Sequence, residues 1–131
     1  MSTRCRVAIR NPDGSFHSIY GHYDGYPYSY DTGECDAVGQ KLASFYTDPS
    51  LVEKLIALGD FSVLDRTLEA SQFYGRDYKE LGVDCIVAQT LDDLFVQAEN
   101  CGGEWIYIFD PTNQKWSYHT VNNDGTTWLV L

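Results

Sequence analysis

Apolar and polar positions alternate at the start of the chain. Cys5, Val7 and Ile9 fall on one side of residues 4–10, and Arg4, Arg6, Ala8 and Arg10 on the other. That period of two predicts a strand with its arginines turned to solvent. Asn11-Pro12-Asp13-Gly14 follows, where proline presets φ and Asp-Gly admits a tight turn, so residues 16–21 are expected to return as a hairpin. The period then lengthens. Val38, Leu42, Phe45 and Tyr46 predict a helix over 36–47 capped by Asp36, and Asp48-Pro49 opens a second over 50–58 that stops at Gly59. A third helix, 91–100, begins at Thr90 and turns Leu91, Leu94, Phe95 and Ala98 inward. The last third alternates again, predicting strands at 104–109, 115–121 and 126–131. Residues 85–88 read as a short buried strand. Residues 60–82 hold apolar side chains without a period and read as an irregular connection with one helical turn.

Strands, then helices, then strands predict one α+β domain over 1–131: a single antiparallel sheet of four to six strands with about three helices on one face. At 131 residues the chain is long enough to bury a core. Four cysteines (Cys5, Cys35, Cys85 and Cys101) form no Cys-x-x-Cys pair, so reduced and mostly buried thiols are expected, with no zinc knuckle. The opening Met1-Ser2-Thr3-Arg4 has no apolar run, and no stretch approaches a membrane span. These features together predict a cytoplasmic protein.

Charge narrows the partners. Nineteen acidic residues against nine basic ones give −10, which argues against direct nucleic-acid binding and for solubility or a basic partner. Ten tyrosines raise the aromatic share to 15%, and tyrosine suits wet-sided sheets and binding surfaces alike. Trp116, Tyr118, Trp128 and the Leu129-Val130-Leu131 end look too apolar for a solvated edge and predict a homodimer.

The densest chemistry lies in Ile19-Tyr20-Gly21-His22-Tyr23-Asp24-Gly25-Tyr26-Pro27. In extended backbone His22 and Asp24 share a face, which is half of an acid–base pair. No nucleophile motif, Walker pattern or histidine metal spacing completes it, so no catalytic residue, metal or cofactor is assigned. Asp24 can equally cap its own turn. Arg76, flanked by Tyr74 and Tyr78, is a candidate anion clamp or a plain surface pair with Asp77. The predicted ligand site is therefore His22, Asp24 and Tyr26 along one wall, with Tyr74 and Arg76 reaching in.

Three stretches carry a resemblance: Ser2-Thr3-Arg4, the Tyr20–Pro27 run, and Gly59-Asp60-Phe61-Ser62. They resemble a family of small phage and prophage proteins whose pattern runs Thr-Arg-Ala-Thr, Tyr-Arg-His-Trp-Asp-Gly-Tyr-Pro and Gly-Asp-x-Ser. Gly21 and Tyr23 stand where that pattern has arginine and tryptophan. The resemblance implies a phage context and no catalytic residues. By analogy it implies a non-catalytic accessory protein in the host cytoplasm, countering defence by sequestering a nucleotide-like ligand or inhibiting a host protein complex. The alternatives are a small hydrolase or nuclease-like enzyme using His22 and Asp24, and an acidic mimic of nucleic acid.

Overall fold

The computed structural model describes residues 2–28, 37–121 and 129–130. The N-terminal hairpin forms as the alternation predicts: β1 (Cys5–Arg10) pairs antiparallel with β2 (Phe16–Gly21), and Gly14 turns between them at φ +87°. Helix α1 (Val38–Phe45) and helix α2 (Pro49–Ala57) follow. Asp48 caps α2 by accepting from the Ser50 amide at 3.0 Å. The cap expected for α1, Asp36, lies outside the described residues, as do Cys35, residues 126–128 and Leu131.

The stretch 60–82 is more ordered than its lack of period suggests. It holds β3 (Phe61–Val63), β4 (Gln72–Phe73) and the single-turn α3 (Tyr74–Tyr78). Strands of two or three residues are too short to show a period of two, so only the helical turn could be read. Then come β5 (Ile86–Ala88), α4 (Leu91–Asn100), β6 (Trp105–Asp110), β7 (Lys115–Thr120) and β8 (Leu129–Val130). Thr90 caps α4 as its sequence indicates, its hydroxyl accepting from the Asp93 amide at 3.1 Å.

The fold is α+β, but the sheet is larger than expected and mixed. Its order is β4-β3-β2-β1-β6-β7-β8, with β5 beside β2, so eight strands join among the described residues. β1–β6 and β2–β3 are parallel; the other five pairings are antiparallel. Both parallel pairs arise because helices intervene between the paired strands, and a crossover returns the chain in the same direction.

The helices do not share one face. Val7, Ile9, Ile19, Tyr107 and Trp116 pack with Val38, Leu42, Val52 and Leu55 of α1 and α2. Across the sheet, Ala8, Phe16, Ile106 and Ile108 pack with Leu94 and Ala98 of α4. The supposed solvent side of β1 is therefore covered at Arg6 and Ala8, while Arg4 and Arg10 are exposed as expected. Arg6 is only 4% exposed, its Nε donating to Ser18 Oγ at 2.7 Å and Nη2 to the Ser18 carbonyl at 3.2 Å. A buried guanidinium persists only with such partners.

Trp116 and Tyr118 are core residues too, with Trp116 Nε1 donating to the Tyr46 carbonyl at 2.7 Å. Of the apolar residues that suggested a dimer edge, Trp116 and Tyr118 are thus used within the domain, and Trp128 and Leu131 lie outside the described residues. Cys5, Cys85 and Cys101 are free thiols; Cys5 is fully buried, the other two half-buried. In β5, Ile86 and Val87 are exposed and only Ala88 is buried, unlike the buried strand expected there.

The outer edge of β2 is satisfied in three pieces. Residues 16–18 pair with β5, and Gly21 pairs with β3. Between them the Tyr20 amide donates to Asp60 Oδ1 at 2.8 Å. Asp60 also donates its amide to the Val83 carbonyl at 2.8 Å and accepts from the Tyr74 amide at 3.1 Å. Gly59 precedes it at φ +84°, where a Cβ would lie 2.4 Å from the Val83 carbonyl oxygen.

Asp60→Ala leaves the Tyr20 amide without its acceptor and should cost about 1–3 kcal/mol in urea unfolding. Asp60→Asn keeps an acceptor. Burial holds the Asp60 carboxyl above its ordinary value, so the folded state binds the proton more tightly than the unfolded one. Its contribution to stability therefore falls as pH rises from the ordinary carboxylate value near 4 through the raised folded value. Urea melts should show Asp60→Asn gaining on wild type between pH 4 and pH 7, and a constant difference would contradict this.

Candidate functional site

The Tyr20–Pro27 run leaves β2 at Gly21 and does not stay extended. The His22 amide donates to the Phe61 carbonyl and the Tyr23 amide to the Ser62 carbonyl, both at 3.1 Å, which carries the ladder to β3. Asp24 then turns in the left-handed region at φ 59°. The alternation that would set His22 and Asp24 on one face is broken there. His22 Nδ1 is hydrogen-bonded to the Tyr20 hydroxyl at 2.5 Å, whereas Asp24 Oδ1 accepts from the Tyr26 hydroxyl at 3.2 Å.

The backbone of the run holds helix α1. The carbonyls of Asp24 and Tyr26 accept from the amides of Val38 and Gly39, at 2.7 and 3.3 Å. These are orphan donors of a helix whose N-cap residue, Ala37, has no side-chain acceptor. Gly25 lies against β1: its amide donates to the Thr3 carbonyl at 2.9 Å, and a Cβ there would sit 2.6 Å from that oxygen. The buried Tyr107 hydroxyl donates to the Gly25 carbonyl at 2.6 Å. Pro27 is buried, with Gly39 so close that a Cβ there would approach the proline backbone to 2.6 Å. Residues 24–27 thus have structural work: the left-handed turn at Asp24, the close approaches at Gly25 and Pro27, and the carbonyls of Asp24 and Tyr26 that hold α1.

Arg76 is committed elsewhere. It pairs with Asp77 through Nε and Nη2, both at 3.0 Å, and donates to the carbonyls of Leu68 at 2.9 Å and Ser71 at 2.7 Å. Its guanidinium stacks 4.9 Å from the centre of the Phe73 ring. Asp77 also accepts from the Phe73 amide at 2.8 Å, and the Arg76 hydrogen bonds hold its carboxyl below the ordinary range. Arg76 therefore ties residues 68–77 together and is not turned out as an anion clamp.

Of the predicted site residues, Tyr74 lines an open cleft of about 300 Å³, with Tyr23, Tyr78, Ser62, Gln72 and Glu80. Beside it the His22 ring meets Tyr23 edge-on at 4.5 Å and Tyr20 at 5.8 Å, while Tyr74 and Tyr78 are 6.1 Å apart. Tyr78 is 52% exposed and donates to Gln72 Oε1 at 2.6 Å. Burial pushes the Tyr20 phenol up to about 12 and raises that of Tyr74, so both remain neutral at physiological pH. The cleft offers aromatic faces, phenolic hydroxyls, an amide and one carboxylate, and no cation among its lining residues. Sequence reasoning did not place Tyr23, Ser62, Gln72, Tyr78 or Glu80 in the site, where the short β3–β4 pairing and the turn of α3 bring them together. The pair Tyr74 and Tyr78, one helical turn apart, was the available signal.

The scaffold role of Asp24 has a direct test. At φ 59° glycine is free of strain, whereas a β-branched side chain is not. Asp24→Gly should stay within about 1 kcal/mol of wild type, and Asp24→Val should lose roughly 1–2 kcal/mol more, in chemical unfolding. Equal effects of the two changes would contradict a conformational role. Scanned against models of known protein families, curated proteins and solved structures, the chain matches none of them.

Proposed function

We propose that this chain is a binding protein whose tyrosine cleft captures an arginine- or lysine-bearing segment of a partner protein. One observation carries it: Tyr23, Tyr74, Tyr78 and Glu80 line the same cleft without a cation among them. Aromatic faces attract a cationic side chain, and a carboxylate beside them answers its charge. The net charge of −10 adds long-range attraction for a basic partner. A phosphate-bearing ligand finds no matching group in this cleft, since Arg76 is bound to Asp77 and to two carbonyls. The protein partner is therefore favoured over the nucleotide-like one. His22 and Asp24 act here as scaffold, with no catalytic use.

In the phage setting implied by the Tyr20–Pro27 resemblance, the partner would be a host protein. Occupying its basic segment would block a defence complex, and where that segment normally meets nucleic acid the acidic protein would act as its mimic.

The test compares a capped tri-arginine peptide with its citrulline counterpart, which keeps the shape and removes the charge. The arginine peptide should bind by calorimetry, more weakly as salt is raised. Tyr74→Ala and Tyr78→Ala should each cost about 1 kcal/mol. Glu80→Gln should narrow the gap between the peptides. Equal binding of both peptides, or binding untouched by the tyrosine changes, would overturn the proposal.

A further inference from the structure

The tyrosine cleft carries more information than its charge alone. Tyr23 lines it from the stretch that continues β2, Tyr74 and Tyr78 from the two ends of α3, and Glu80 from the turn that follows. The Glu80 amide donates to the Tyr74 carbonyl at 3.0 Å, which ties the acid to that tyrosine. Burial raises the Tyr74 phenol, and Tyr23, Glu80, Tyr78 and Asp60 add to the rise. The three phenols and the Glu80 carboxylate therefore share one neighbourhood. The Tyr74 and Tyr78 rings are tilted 43° to each other at 6.1 Å and are not stacked face to face. Tyr23 is 45% and Tyr78 52% exposed, so ring surface stays open to a ligand.

Acceptors are scarcer than ring surface. Gln72 Oε1 already takes the Tyr78 hydroxyl at 2.6 Å, and the Ser62 hydroxyl donates to the Gln72 carbonyl at 3.4 Å. Among the described lining residues Glu80 is the only carboxylate. Lys79, its neighbour in sequence, donates to the Arg76 carbonyl at 3.1 Å and does not line the cleft. A guanidinium brings five N–H donors and a lysine ammonium three, each needing an acceptor or water. Every methyl on a lysine nitrogen replaces one donor with apolar surface and keeps the charge. A dimethylammonium retains a single N–H, which matches a single carboxylate.

We propose that this cleft selects methylated lysine, with dimethyllysine as its preferred form. Tyr23, Tyr74 and Tyr78 meet the methyl groups, and Glu80 accepts the one remaining N–H. The assignment rests on capture of a cationic side chain at this cleft and names the cation. The rings favour every methylated form over plain lysine, because a charge clothed in methyls gives up less hydration to reach them. The charge-assisted bond to Glu80 then sets the dimethylated form above the trimethylated one, which has no donor left.

The experiment titrates the full chain with a capped Gly-Gly-Lys-Gly-Gly peptide in unmethylated, dimethylated and trimethylated forms, followed by amide NMR. A fourth peptide carries the uncharged tert-butyl isostere of the trimethylated side chain. The dimethylated peptide should bind about fivefold more tightly than the unmethylated one. The trimethylated peptide should bind more tightly than its isostere. Tyr23→Leu and Tyr78→Leu, each checked for folding by circular dichroism, should remove most of the gain from methylation. Glu80→Gln should bring the dimethylated peptide down to the trimethylated one. If the tri-arginine peptide binds while methylation leaves lysine unchanged, the preference for methyllysine is overturned and cation capture stands. If no cationic peptide binds, both are overturned. Equal binding of the trimethylated peptide and its isostere would overturn the proposal on the wild-type protein alone.

Discussion

The outer edge of β2 is the constraint on which the central third of the chain depends. One row of backbone donors and acceptors must be paired or solvated, and no single strand covers it. β5 takes its first half, β3 takes its end, and the Asp60 carboxylate fills the gap at Tyr20. That division fixes where residues 60–88 run. It also places α3, whose first amide donates to the Asp60 carbonyl, and so sets Tyr74 and Tyr78 beside Tyr23. The cleft is thus a by-product of closing an edge, built on short elements that have little stability of their own.

Much of the frame is legible in the sequence. The hairpin of residues 5–21, the Asp48 and Thr90 caps and the C-terminal hairpin depend on neighbours in sequence, where propensity and spacing act directly. What could not be read depends on tertiary pairing. Arg6 and Ala8 look solvent-facing until α4 closes the second side of the sheet, and nothing within β1 announces that helix. The parallel pairing of β1 with β6 joins strands some hundred residues apart. It follows from the long crossover between them.

The candidate site was legible by composition more than by residue. Tyr23, Tyr74 and Tyr78 do gather at one cleft, while Tyr46, Tyr107 and Tyr118 are in the core and the most conspicuous run serves the scaffold. Asp24 was singled out for its carboxylate; its left-handed backbone and its carbonyl, which accepts from Val38, account for it instead. Arg76 was singled out for its charge, yet its donors are taken up by Asp77 and by the carbonyls of Leu68 and Ser71, and its guanidinium stacks on Phe73. Chemistry-bearing residue types mark a site only once their ordinary structural uses are subtracted. In this chain that subtraction removes most of the Tyr20–Pro27 run and leaves Tyr23, Tyr74, Tyr78 and Glu80.

The central claim is that binding belongs to this cleft and the Asp24–Pro27 turn is scaffold. Backbone amide NMR of the labelled protein, titrated with the tri-arginine peptide, tests it most directly. The account predicts shifts that saturate and concentrate at Tyr23, Tyr74, Tyr78 and Glu80, with Asp24, Gly25 and Tyr26 little moved. Saturating shifts centred on Asp24–Tyr26, or no saturable shifts at the cleft, would contradict it.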